Sequence, residues 1–289
     1  MVFRPTSPAC QPFVNMDIPG NTNTSSLDPY GYSLWCARLP GDGWRKAHDE
    51  ILWTMDRLAR ECKFDLDPKV IGLFAPYISQ REQFFGIPAR RRQGKIPDFR
   101  FQSATGLDAL ADVKRLWYSP SNYLAPSSNT SSVNRRASKV HTEYIQKAKS
   151  IDTVYNNTPP DTNGPMYTRM MSFGRIQGFV FGSWGEVSQD VKSFVHLMAE
   201  TGAAKIWRNI DKARSIEEVE GVIKHRIRRI LGITAVRSAH FLKLNRISHL
   251  TGDFQRSRTR SRRARSFYQA WNSEYDTFFG PRTWRAPRT

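Results

Sequence analysis

The segment Leu110-Ala-Asp-Val-Lys114 constrains this chain more than any other. Strand alternation sends Leu110, Asp112 and Lys114 to one face and Val113 to the other, with Asp112 and Lys114 about 7 Å apart along the backbone. An ordinary core strand does not carry such a pair, because a buried charge needs water, a metal or a counter-charge. Asp98 lies on the preceding predicted strand, Ile96 to Phe101, directly after Pro97, which suits a strand start or a bulge. Two carboxylates on neighbouring strands can hold a hard cation such as Mg²⁺ or Mn²⁺ through oxygen ligands. Lys114 could then position a water and offset developing charge, and Glu50, at the border of the first helix's apolar stripe, could add a third oxygen. A plainer reading stands beside this one. Pro-Asp is common at turns, and Asp-x-Lys on an edge strand is ordinarily a solvated ion pair worth less than about 1 kcal/mol.

Periodicity supplies the frame. Ala47, Ile51, Met55, Leu58 and Cys62 follow helical spacing and predict a helix over 46–62. The short apolar run Val70-Ile-Gly-Leu-Phe74 reads as a strand, followed by the pair Ile96–Phe101 and Leu110–Lys114. A Ser/Asn/Pro-rich loop is expected over 119–134, then a basic helix from Arg135 to Tyr155. Ile176 to Gly182 reads as a buried strand and Glu186 to Glu200 as an amphipathic helix. Two more helices, Ile216–Ile230 and Ala235–Leu250, are predicted with a break at Gly232, and no internal repeat is visible. The expected organisation is a loosely ordered arm over 1–43, an α/β core over 44–203, and a helical, basic extension over 204–289.

Charge points to the partner. The chain of 289 residues has 44 Lys and Arg against 26 Asp and Glu, a formal net charge of +18. From Gly221 onward the balance is 16 against 3, so +13 of the excess lies in the last quarter. Arg256 to Arg265 holds six arginines, among them Arg258, Arg260, Arg262 and Arg263. Such a run self-repels, and opposite phosphates it releases counterions and binds in a salt-sensitive way; it equally suits a solvated tail or an import signal. Arg90, Arg91, Arg92 and Lys95, just before Asp98, are placed either to hold phosphates or to form a solvated loop. Phe267, Tyr268, Trp271, Tyr275, Phe278 and Phe279 read as a small docking helix in preference to a base-stacking platform.

Several function classes are excluded. No run of 18 apolar residues is present, and Met1 to Phe13 lacks a continuous apolar stretch of signal-peptide length. Three cysteines, Cys10, Cys36 and Cys62, without CxxC spacing argue against a disulfide scaffold or a zinc knuckle. A protein of the nucleus or another intracellular compartment is therefore expected, with DNA, or RNA, as partner and no membrane. The six histidines show no zinc spacing. His48 reads as a helix-border histidine with one hydrogen bond in preference to a support for the acidic group. Gly178, Gly182 and Gly185 do not make a dinucleotide fingerprint, and Ser183 is not in a nucleophile elbow. Trp117, Tyr118 and Tyr123 read as core.

The order of elements, with Ile96-Pro97-Asp98-Phe99, Ala111-Asp112-Val113-Lys114, a helix carrying Lys147 and Tyr155, and Phe179-Val-Phe-Gly182-Ser-Trp-Gly185, resembles the PD-(D/E)xK nuclease superfamily. Over roughly 46–201 the chain is most similar to the restriction-like endonuclease domains of non-LTR retrotransposons. His48-Asp-Glu-Ile51 is also similar to uncharacterised families linked to mobile elements. The resemblance implies a restriction-endonuclease-like mixed sheet flanked by helices. By it, Asp98 and Asp112 would be metal ligands, Lys114 the catalytic lysine and Glu50 an accessory acid. Lys147 and Lys149 would contact nucleic acid. The expected function is Mg²⁺- or Mn²⁺-dependent hydrolysis of DNA phosphodiester bonds by a protein derived from a mobile element. The alternative is a non-catalytic nucleic-acid-binding protein on the same scaffold.

Overall fold

The computed structural model describes residues 43–68, 70–77, 96–103, 106–117, 129–209 and 215–250. The elements are α1 (Gly43–Glu61), β1 (Asp65–Asp67), α2 (Ile71–Phe74), β2 (Phe99–Gln102), β3 (Asp108–Arg115), α3 (Asn129–Tyr155), α4 (Pro165–Met171), β4 (Gln177–Phe181), α5 (Gln189–Ile206), a 3-10 turn (Trp207–Asn209) and α6 (Ile216–Leu250). The strands form one mixed sheet in the order β1-β2-β3-β4. β1 and β2 pair antiparallel, as do β2 and β3, while β3 and β4 run parallel. The protein is thus an α/β fold with a small mixed four-strand sheet flanked by helices, as the sequence leads one to expect.

Strand alternation divides the core into two layers. Phe99, Phe101, Ala109, Ala111, Val113, Phe179 and Phe181 face α1, α5 and α6. There Phe64, Phe99, Phe101, Phe179 and Phe194 interlock, with Phe179 and Phe194 4.9 Å between ring centroids. Each fully buried phenylalanine contributes roughly 2–3 kcal/mol of apolar burial. The other face of β3 sends Leu110 toward α2, α3 and α4, where Val140, Tyr144, Ala148 and Ile151 continue the core. Gly178 lets α3 lie close on β4, because a Cβ there would come within 2.6 Å of the Ala137 backbone.

Four expectations are corrected. Val70–Phe74 is not a strand: Ile71–Phe74 is a helical turn, and the third antiparallel strand is Asp65–Asp67. A five-residue apolar run is too short for periodicity to separate the two states, and Val70 and Phe74, four apart, are both buried against α3 and α4. The predicted loop is already helix from Asn129, where Ser132 and Val133 are buried. The helix α4 was not expected; Asp152 of α3 accepts hydrogen bonds from Met166 N and Tyr167 N at 2.8 Å and so caps its first turn. Gly232 does not break α6, which runs unbroken for 35 residues. The cost of about 1 kcal/mol for a helical glycine is outweighed by burying Ile227, Leu231 and Ala235 in the core on either side of it. The segments 1–42, 78–95 and 251–289, with Arg90, Arg91, Arg92, Lys95, Arg258, Arg260, Arg262, Arg263 and the aromatic series from Phe267, lie outside the described residues.

Candidate functional site

Antiparallel pairing brings the two carboxylates together. Phe99 pairs with Ala111, so carrying the register one residue further sets Asp98 opposite Asp112. Asp98 N donates to Ala111 O at 3.0 Å, and Val113 N then donates not to a backbone carbonyl of β2 but to Asp98 Oδ2, at 2.7 Å. The Asp98 carboxylate is therefore anchored on the peptide between Asp112 and Lys114. Those two residues leave β3 on the same face, as alternation predicts, and Lys114 Nζ lies 2.5 Å from Asp112 Oδ2.

Helices on both sides hold the pair. From α1, His48 Nε2 lies 3.0 Å from Asp98 Oδ2, while its Nδ1 lies 3.2 Å from Asp49. From α3, Tyr144 Oη lies 2.6 Å from Asp112 Oδ1 and 3.0 Å from Ile96 O. Lys147, one turn on, places its ammonium 4.1 Å from the centre of the Tyr144 ring. Lys149 lies over Tyr167 instead, 5.5 Å from its ring centre.

The electrostatics separate the two acids. Burial and then the Asp98 charge push Asp112 up to about 6, against the opposing pull of Lys114 and Tyr144. For Asp98, burial acts upward, but the hydrogen bond and charge of His48, the Val113 N–H and Lys114 outweigh it and hold the group below the usual carboxylate range. His48 is the mirror case: burial acts downward, and Asp98 and Asp49 together raise it. Burial and then Asp112 raise Tyr144 well above the ordinary tyrosine value. Burial, helped by Lys114, lowers Lys147.

Asp112 is almost wholly buried, at 2 % exposure. Its Oδ2 takes no hydrogen bond of regular geometry and has the Lys114 ammonium as its ion-pair partner. A buried, uncompensated carboxylate oxygen beside a second carboxylate, all hard oxygen donors, fits a small divalent cation such as Mg²⁺ or Mn²⁺. Among the described residues no group of three or more His, Cys, Asp or Glu side chains gathers as metal ligands. Glu50 thus does not complete a triad with Asp98 and Asp112. It stands two residues from His48 on α1, about 200° further round the helix.

Sequence reasoning brings out Asp98, Asp112 and Lys114, and the structure brings them together. It underrates His48 and misses Tyr144, which sits inside the apolar stripe Val140, Tyr144, Ala148, Ile151 and looks like core. The available signal is that a buried tyrosine hydroxyl requires a partner. Trp117 is buried, as expected. No family model matches the chain, and no curated protein or solved structure matches it significantly.

Proposed function

We propose that this protein is a metal-dependent endonuclease of the restriction-like fold that hydrolyses DNA phosphodiester bonds, as the resemblance of its motifs to mobile-element endonucleases implies. The observation that carries this reading is the Val113 peptide: its N–H holds Asp98, and its two neighbours are the ion-paired Asp112 and Lys114. Asp98 and Asp112 would hold Mg²⁺ or Mn²⁺. When bound, such an ion polarises a phosphoryl oxygen and lowers the pKa of its water.

The protein's own groups act around that centre. Tyr144 fixes the Asp112 carboxylate through Oδ1 and leaves Oδ2 toward Lys114. His48 and the Val113 N–H fix Asp98 through Oδ2. The Lys114 side chain, 29 % exposed, reaches solvent from a buried partner and offers its positive charge to an incoming phosphate. Lys147, half-buried beside it, adds a second cation on the same side. The net charge of +18 supports a polyanionic substrate.

Supercoiled plasmid incubated with the protein and Mg²⁺ or Mn²⁺ tests the reading. Nicking that needs the ion and is absent from Asp98→Ala supports it. DNA binding without nicking under any condition favours the non-catalytic alternative.

A further inference from the structure

The strongest feature outside the site is the outward face of α6. After the first-turn acids Glu217 and Glu218, and Glu220, the helix from Gly221 to Leu250 contains seven Lys and Arg and no Asp or Glu. Its inward side is fixed: Ile227, Leu231 and Ala235 are buried with α1 and α5. At 100° per residue, Val222, Arg226, Arg229, Ile233 and His240 fall on the opposite line, and all five are exposed. The two apolar members are eleven residues, about 16 Å, apart, so they do not merge into one apolar patch.

Charge decides what such a face can meet. A second copy would set arginine against arginine in either orientation, with no acid on the face to offset it. Arg226 has one acidic neighbour, Glu61 of α1, 3.1 Å away between half-exposed side chains. A rigid track of cations over several turns, with no acid among them, complements a regular row of phosphates. The track is also joined to the candidate site. Arg115, next to Lys114, crosses to α6, where its guanidinium donates to Ala235 O at 2.8 Å and to Ser238 Oγ.

We infer that the Arg226/Arg229 face of α6 grips the phosphate backbone of duplex nucleic acid and sets the frame in which the Lys114 side of β3 meets its strand. This rests on the nucleic-acid reading above but not on cleavage. Its contacts are sequence-independent, and they belong to a helix whose other side is core, so they are present before any ligand arrives.

The test is fluorescence anisotropy of a 30-base-pair DNA duplex with the full chain in EDTA, over a range of salt. Arg226→Gln/Arg229→Gln removes two phosphate contacts and should lower the slope of log K against log salt by about 1.8. Arg57→Gln/Arg60→Gln, which removes the same charge and also breaks surface ion pairs, should leave the slope unchanged. Arg226→Lys/Arg229→Lys keeps the charge and should keep the slope, which separates lost contacts from a damaged helix. Equal effects of the two Gln pairs, an unchanged slope in the α6 pair, or a wild type that binds no duplex would each overturn the inference. So would polyglutamate binding that the α6 pair loses while it keeps duplex binding, a result that assigns the face to an acidic protein. Plasmid nicking with Mn²⁺ is scored separately. A wild type that nicks while the α6 pair keeps its full slope sinks the surface alone, and salt-dependent binding through α6 without nicking sinks the nuclease alone.

Discussion

His48 Nε2 lies 3.0 Å from Asp98 Oδ2 and joins α1 to the start of β2, so a helix in one layer sets the carboxylate that opens the sheet's charged pair. Removing such a support typically weakens metal binding or activity 10- to 100-fold. His48→Ala is expected to lose that much Mn²⁺ affinity in calorimetry, with His48→Gln, which keeps one polar group near Asp98, recovering part of it. Unchanged affinity in His48→Ala would show that the Val113 N–H positions Asp98 alone.

The pH dependence of stability has a definite sign. Asp112 is raised to about 6, so its contribution is complete below about 4 and is lost as pH rises through 6. His48 is raised too, and its contribution is lost as pH rises past its ordinary value of 6.5. Asp98 is lowered, so its contribution is present above about 4 and lost only in stronger acid. The metal-free protein should therefore lose stability between pH 5 and 8, with roughly 2 kcal/mol attributable to Asp112. Denaturant melts of Asp112→Asn should be flatter across that window, and a parallel pH profile in the two proteins would refute the assignment.

Tyr144→Phe leaves the ring in the core and deletes only the hydroxyl that meets Asp112. A buried carboxylate oxygen that loses a donor costs about 1–3 kcal/mol. The losing form is the carboxylate, so the Asp112 pKa should move above 6, and Mn²⁺ binding should require higher pH than in the wild type. Calorimetry at pH 6 and pH 8 distinguishes this from simple loss of fold.

Asp152 provides the opposite case, a buried acid with a structural task. It accepts from Met166 N, Tyr167 N and Asn156 Nδ2, and the close approach of Gly164 leaves no room for a larger neighbour. Asp152→Ala leaves two backbone donors of α4 unpaired and should cost about 2–3 kcal/mol in urea melts while sparing cleavage at low temperature.

These cases show what was legible in the sequence and why. Asp98, Asp112 and Lys114 stood out because a two-residue alternation is local: it survives in any sheet that pairs β2 with β3. His48 and Tyr144 depend on which helix packs on which face, a non-local fact that spacing does not carry. Val70–Phe74 was misread because its apolar side chains serve a buried turn as well as a strand. Gly232 was misread because propensity weighs one residue, whereas α6 is held by burial along its whole inner side. The four-strand mixed sheet with helices on both faces was legible from the order of elements, although the third antiparallel strand came from Asp65–Asp67.

The central claim, that Asp98, Asp112 and Lys114 form a metal-dependent phosphodiesterase centre, is tested most directly by plasmid nicking. Wild type, Asp112→Ala and Asp152→Ala are run side by side with Mn²⁺ and with EDTA. The account predicts that wild type and Asp152→Ala nick only with the ion and that Asp112→Ala does not nick at all. Nicking by Asp112→Ala at the wild-type rate, or no nicking by a folded wild type that binds DNA, would contradict it.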